Sequence, residues 1–441
     1  MDKELKNNRR TAPSWMRLDN AATIYPANMT RQFSVMFRFS AALTEEVDPV
    51  LLDRALKNVL RRMPSFSYRL KEGIFWCYFR HIDGTPGVSQ DVGNPMTRIR
   101  WKENNYFMFR VRYFGKRVSA EFFHAVTDGT GGLTFFLTLL AEYLRLGHGI
   151  RISYGGRILD PEAAPDPGEY EDSFSVYARN TGTMEKERKA YHVRGTEEKK
   201  HILDIITGKI PVARIKEEAD RYGCTVTAFL TSVMIDSLQS LQKAENDPHR
   251  RHMPIKISIP VNLRRFYPSR TLRNFSSYVN VGIDGWLGEY SLDEIAVQVK
   301  SQMDMMITEK RLNAKISGNT ALAKNIFVRL VPMFIKKFVI SAIELRMGDN
   351  YISQNLSNMG NVELPKEMAA YVTDLNFILG RSRNKAGSAS CISYNGNLYI
   401  TFTRKIKETS FEKNFFTRLV EMGIPVEIES NQREDEECHT V

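Results

Sequence analysis

Cysteine is scarce in this chain. Cys77, Cys224, Cys391 and Cys438 are far apart, and none forms a C-x-x-C pair. That spacing argues against a disulfide framework and for reduced thiols. No apolar run approaches the eighteen or so residues of a spanning helix. Met1 to Arg10 is polar and charged, without an apolar signal segment. Together these features lead to the expectation of a cytoplasmic protein. There is no internal repeat, no nucleic-acid-binding motif and no dense basic helix, so nucleic acid is set aside as a partner.

What is present is ordinary globular material with an aromatic excess. Hydrophobic residues make up 42% and charged residues 26%, as in a globular protein with a core. With 25 Phe, 18 Tyr and 4 Trp, the chain can line an apolar cavity as well as fill a core. The 441 residues predict two domains. The net charge of +11 favours anionic partners such as a phosphorylated cofactor, an acidic protein or a membrane surface, unless it serves solubility alone.

Periodicity places the elements. Gln32 to Leu43 reads as a strand, followed by a helix capped by Asp48 with Pro49 in its first turn. Phe75 to Phe79 reads as a short strand. A meander follows, with strands around Ile99–Trp101, Phe107–Tyr113 and Val118–Phe122, and turns at Asn104-Asn105 and Gly115. The period then becomes helical from Gly132 to Leu146. Prolines and acidic residues interrupt the pattern after residue 158. The expected division is a first lobe of 1–175, a linker of 176–200, a second lobe of 201–430 and a disordered acidic tail of 431–441. In the second lobe, two helical patterns precede a strand at Ile255 to Val261 and an extended stretch at Ser276 to Ile283. Ser291 with Glu294 forms a capping box. Ile326 to Leu345 is apolar but interrupted by Arg329, Pro332, Lys336 and Lys337. It reads either as a helix packed on the protein or as a peripheral membrane contact through its basic edge. Strands near Tyr351, Val372–Leu379, Ala389–Tyr394 and Leu398–Thr403, and a helix at Ser410–Met422, complete the pattern.

The chemistry concentrates where strand becomes helix, at Phe123-His124-Ala125-Val126-Thr127-Asp128-Gly129-Thr130-Gly131-Gly132. His124 continues the face of Val118, Ala120 and Phe122, so its imidazole is expected to point inward. A neutral imidazole suits removal of the proton that an acceptor loses on attacking an activated carbonyl. Asp128, four residues on, can orient the ring or turn away to an arginine. Gly129 is expected to let the backbone bend. Thr130, Gly131 and Gly132 offer N–H groups at a helix start. A turn histidine satisfied by Asp128 is the plain alternative.

His124-Ala125-Val126-Thr127-Asp128-Gly129 resembles the H-x-x-x-D-G signature of the acyltransferase superfamily that includes alcohol acetyltransferases, condensation domains and wax ester synthases. Pro260-Val261-Asn262-Leu263-Arg264, Asn274-Phe275 and Ser357-Asn358-Met359-Gly360 resemble further stretches of that superfamily. The chain is most similar to its stand-alone bacterial alcohol acetyltransferase-like members. The resemblance implies an α/β fold of the chloramphenicol acetyltransferase-like kind, two similar lobes in a V with a central tunnel. It implies acyl transfer from a coenzyme A thioester as co-substrate, or from an acyl carrier protein, to an alcohol or amine acceptor. No permanently bound cofactor and no metal are expected, and the protein is expected to be a monomer. His124, Asp128 and Gly129 would be the catalytic motif. Phe123, Thr127, Arg264, Asn274, Ser357 and Asn358 would line the tunnel or support it. Arg264 is the nominated partner of Asp128, with Arg265 and Arg273 close by. Condensation domains usually carry a second histidine where this chain has Phe123, which argues against a peptide-bond-forming module. The leading expectation is a free-standing CoA-dependent O-acyltransferase; the alternatives are a carrier-protein-dependent condensation enzyme or a catalytically inactive binding protein of the same fold.

Overall fold

In the computed structural model, the described residues are 12–29, 33–179, 187–199, 202–324, 330–343, 349–381 and 385–432. Three sheets organise them. The first is five-stranded and mixed. In spatial order it runs β12 (Val372–Leu379), β2 (Met36–Leu43), β7 (Arg117–Phe123), β6 (Phe109–Phe114) and β5 (Val88–Gln90). The second is seven-stranded: β10 (Ser276–Ile283), β9 (Ile255–Asn262), β11 (Gln354–Val362), β13 (Gly387–Tyr394), β14 (Asn397–Arg404), β8 (Asp204–Pro211) and β15 (Glu427–Ser430). A small antiparallel sheet joins β1 (Trp15–Arg17), β4 (Cys77–His81) and β3 (Tyr68–Glu72).

Two hydrophobic cores form. The first is aromatic. Phe37, Phe39, Phe66, Phe109, Phe122 and Phe135 are all at most 1% exposed, and they meet in stacked and edge-on pairs. Strand β12 comes late in the chain yet completes this early sheet, where Phe377 stacks on Phe39 of β2 with ring centroids 4.7 Å apart. The halves of the sequence are thereby interleaved.

Local signals explain the helices that frame the site. Helix α2 (Pro49–Arg62; α1 is the short Tyr25–Asn28) starts where Asp48 accepts hydrogen bonds from the N–H groups of Val50 and Leu51, and it buries Leu52, Ala55, Leu56, Val59 and Leu60. Helix α3 (Gly129–His148) is buried all round from Gly131 to Leu144, as its mostly apolar sequence requires. It ends at Gly149, whose φ of 64° forms a left-handed cap. Helices α4 (Val212–Arg221) and α5 (Val226–Lys243) belong to the second core, and the Ser291–Glu294 capping box opens α6 (Leu292–Met306). The β13–β14 hairpin turns on Asn395 and Gly396, both with positive φ.

Some sequence expectations need correction. Ile99–Trp101 forms no strand, because residues 101–106 wind into turns with Asn105 and Tyr106 left-handed. Instead β5 pairs in parallel with β6. Near Tyr351 there is a 3-10 turn, Asp349–Tyr351, before β11 begins. Ser119 and Glu121, the polar alternates of β7, are as buried as their apolar neighbours. Glu121 is tolerated because Arg38, Arg110 and the Met96 N–H all donate to it.

The segment expected to be a linker is tied to the second core where it is described, through Ala190 N–H to Asn350 O and Tyr191 N–H to Pro254 O, each 2.8 Å. Of the expected acidic tail, residues 433–441 lie outside the described residues, as does Cys438. Cys77, Cys224 and Cys391 are free, and burial pushes all three thiols up. Among the described residues no single helix is long and apolar enough to cross a membrane.

Candidate active site

Strand β7 stops at Phe123, but the ladder continues one residue further, with His124 N–H donating to Val35 O at 3.0 Å. Val35 carries a φ of 51°, a strained conformation for a β-branched residue, directly across from His124. Phe123 packs edge-on against Trp101. The His124 ring meets Phe37 edge-on at 5.2 Å and stacks on Tyr25 of α1 at 4.6 Å. Successive side chains of a strand point to opposite faces, so Phe123 supports the core while His124 joins the Phe37 side.

The turn after His124 is built against the segment 271–275. Asp128 caps α3, its Oδ1 accepting from Gly131 N–H at 3.1 Å. Its Oδ2 accepts from Phe275 N–H at 2.8 Å and from Arg264 Nη1 at 2.7 Å. Both oxygens are thus spent on structure. Arg264 also donates to the carbonyls of Thr271 and Arg273, fixing the loop that carries Asn274. Thr127 Oγ1 donates to Leu272 O at 2.6 Å.

The glycines have a different reason from the one their sequence suggested. Gly129 has no left-handed φ; a Cβ there would sit 2.9 Å from Met359 Sδ. On Gly131 a Cβ would come within 2.2 Å of Leu272 O, and on Gly132 within 2.7 Å of the Phe37 ring. Close approach of α3 to β2 and to the 271–275 segment requires Gly131 and Gly132. At the helix start, the Gly131 and Gly132 N–H groups are taken by Asp128, through its side chain and its carbonyl.

Asn274 holds His124. Its Oδ1 lies 3.1 Å from His124 Nδ1. Its Nδ2 faces two acceptors, Asp19 Oδ2 and Ala125 O, each at 3.4 Å. An amide nitrogen only donates, so those acceptors fix which end of Asn274 meets the ring. The ring nitrogen facing that carbonyl oxygen carries the proton, and Nε2 keeps its lone pair. Burial pushes the His124 pKa below its ordinary value, with a hydrogen bond to its own backbone, the Asp128 charge and the Asn274 contact pulling the other way. The ring is therefore neutral at pH 7.

Behind Asn274 sits Asp19, fully buried, accepting from Ala22 N–H at 2.8 Å and facing Arg273 at 3.6 Å. Burial pushes its carboxyl up to about 6, with Arg273 and the Ala22 N–H opposing the rise.

Other named residues fall near or away from this centre. Asn262 donates to Thr130 Oγ1 at 3.2 Å, tying β9 to the start of α3. Ser357-Asn358-Met359-Gly360 lies within β11, where the pairing with β13 shifts register, and Met359 abuts Gly129. Asn358 instead donates to Thr227 Oγ1 at 2.9 Å and accepts from Gly360 N–H, and Ser357 lies in register with Ser390 of β13. Asp19, Tyr25 and Phe37 are site residues that motif reading missed. Phe37 showed as a strand residue only, and Asp19 and Tyr25 carry no pattern. Among the described residues no group of three or more His, Cys, Asp or Glu could hold a metal ion. A crevice of about 200 Å³ in the second core, lined by Tyr191, Arg404 and Glu412 among others, shares no residue with this site.

The sequence model of the alcohol acetyltransferase family matches residues 174–421, more than half of the chain. The chain belongs to the alcohol acetyltransferase family. The match includes Arg264, Asn274, Ser357 and Asn358, whereas His124 and Asp128 lie before it. Solved structures share the fold over nearly the whole length. The trichothecene 15-O-acetyltransferase of Fusarium sporotrichioides is 11% identical with a TM-score of 0.59, covering 93% of this chain and 95% of its own. TRI101 of F. graminearum, solved with coenzyme A and T-2 mycotoxin, is 12% identical with a TM-score of 0.60, covering 94% and 99%. The first condensation domain of the calcium-dependent antibiotic synthetase is 13% identical with a TM-score of 0.57, covering 93% and 97%. The comparison with curated proteins returns no match. The fold of this family member is therefore that of the chloramphenicol acetyltransferase-like acyltransferases and condensation domains.

Proposed function

We propose that this family member transfers an acyl group from a coenzyme A thioester to a hydroxyl acceptor, with His124 as the general base. The supporting observation is the Asn274–His124 contact, which puts the ring proton on Nδ1 and leaves Nε2 free. In this reaction Nε2 takes the acceptor's hydroxyl proton as its oxygen bonds to the thioester carbonyl carbon. The tetrahedral adduct then collapses, the carbon–sulfur bond breaks, and the proton on Nε2 passes to the departing thiolate. No protein nucleophile is needed, because the thioester is already activated. Asn274 holds the productive tautomer, Asp19 holds Asn274, and Asp128 with Arg264 fixes the turn. Burial that keeps His124 neutral at pH 7 favours the base role.

The choice of coenzyme A over a carrier protein draws on TRI101, solved with coenzyme A, and on Phe123 in place of a second histidine. The lobes are assigned as residues 1–175 and 201–430, except that β12 (Val372–Leu379) crosses over to the first sheet. Thiol release from acyl-CoAs, measured across a panel of alcohols, tests the reading. Turnover that disappears in His124→Ala is expected; unchanged turnover in that variant sinks the base assignment. The condensation-domain likeness supports a second reading, an acyl group delivered by a carrier protein. Turnover with a loaded carrier protein and none with any acyl-CoA would select it.

A further inference from the structure

Helix α8 (Met333–Ile343; α7 is Glu309–Lys324) lies against the tip of the β3–β4 hairpin and against α1. Met333 N–H donates to Ile74 O, and Lys336 Nζ to Phe75 O, each at 2.7 Å. Lys337 pairs with Glu72. Helix and hairpin are therefore joined, and together they display bulky apolar side chains to solvent. Ile74 is 74% exposed, Trp76 61%, Phe334 72% and Phe338 75%. Phe334 and Phe338, one helical turn apart, form a stripe, while Met333 is buried. Isolated exposed hydrophobics need no explanation, but four on two interlocked elements do.

The sheet beside this tip is basic. In register, Trp15, Arg80 and Arg69 form one row, and Arg17, Tyr78 and Lys71 the next, so all six share a face. Trp76 continues the parity of Tyr78 and Arg80. The three strands carry four cations against one carboxylate, Glu72, which Lys337 already neutralises. An exposed apolar tip bordered by a basic, aromatic face matches a bilayer with anionic headgroups: apolar groups enter the acyl boundary, tryptophans sit at the interface and cations meet the phosphates.

We propose that the tip of the β3–β4 hairpin and α8 form a docking surface for an anionic phospholipid bilayer, with the basic face of the β1–β4–β3 sheet lying over the headgroups. An acidic protein would answer the cations but not the four protruding apolar side chains, which a bilayer buries without a preformed groove. The surface adjoins the catalytic region, since α8 packs on α1 and Tyr25 of α1 stacks on His124.

Co-sedimentation of the full chain with vesicles tests this without involving turnover, so its failure leaves the acyl-transfer reading standing. The protein is expected to pellet with an equimolar phosphatidylcholine–phosphatidylglycerol mixture, to stay in solution with phosphatidylcholine alone, and to be released by salt. Joint Trp76→Ser and Phe338→Ser replacement is expected to lower partitioning more than about tenfold. Arg17→Ala, Lys71→Ala and Arg80→Ala are each expected to lower it about fivefold on the anionic vesicles only. All these side chains lie on the surface sheet and helix, and an unchanged circular dichroism melt would confirm that the variants fold. Absence of binding to the anionic vesicles, undiminished binding by folded variants, or binding to an acidic carrier protein with none to vesicles would each overturn the proposal.

Discussion

Asp128 and Asp19 invite comparison. Both are buried carboxylates beside the His124–Asn274 pair; Asp128 faces Arg264, and Asp19 faces Arg273 of the loop that Arg264 organises. Asp128 lies in the recognisable motif, meets Arg264 at 2.7 Å and accepts two backbone N–H groups. Asp19 lies in no motif, meets Arg273 only at 3.6 Å and touches the amide that orients the imidazole. The carboxylate that the sequence advertises builds the turn, while the one it hides stands behind the histidine's partner. A motif carboxylate can thus mark the site without acting on the reacting atoms.

The comparison can be broken at several points. Replacing His124 by Ala is expected to have the largest effect, a loss of about 10²–10⁴ in rate with the melting temperature little changed. In the unmodified protein the acid limb of kcat/KM should fall below pH 6.5, because burial lowers the imidazole pKa and activity is lost only as pH drops through that lowered value. Asp128→Ala should act on stability. It strips Arg264 of its partner and α3 of its cap, for about 3–5 kcal/mol in denaturant unfolding. A variant that kept its stability but lost turnover would reverse the roles assigned here. Asn274→Ala should cost up to about tenfold in rate, the worth of one hydrogen bond. Asn274→Asp would set a carboxylate against Nδ1 and move the acid limb to higher pH.

The effect expected at Asp19 falls on the pH dependence of stability rather than on rate. Its folded pKa of about 6 exceeds its ordinary 3.8, so the native state binds the proton more tightly than the unfolded chain. Stability should therefore fall as pH rises from 3.8 to about 6, and Asp19→Asn should flatten that slope in urea titrations. An unchanged slope would remove Asp19 from the account.

Much of the fold was legible because its signals are local. Asp48-Pro49, the Ser291–Glu294 box and Asn395-Gly396 each specify a cap or turn through neighbouring atoms, and each appears as read. The failures had non-local causes. Ile99–Trp101 alternates like a strand, but the left-handed turn beside it and the parallel approach of β5 decided otherwise. Glu121 looked like a polar alternate, and only Arg38 from β2 and Arg110 from β6 make its burial tolerable. In the site, His124 and Asp128 stood out because they lie four residues apart. Asn274, 150 residues from His124, was visible only through family resemblance, and Asp19 and Tyr25 were not visible at all.

The arginine nominated for Asp128 came from the family resemblance; by itself, then, the sequence determined most helices, most strands and the position of the histidine at a strand-to-helix turn. These follow from hydrophobic period, capping chemistry and short motifs, all encoded within a few residues. Only the tertiary structure decided that Asn274 orients the ring, that the glycines answer close packing against Leu272 and Phe37, and that β12 completes a sheet begun some 330 residues earlier. Those outcomes depend on hydrogen-bond distances and steric contact between distant segments, and such contacts exist only once the chain has folded.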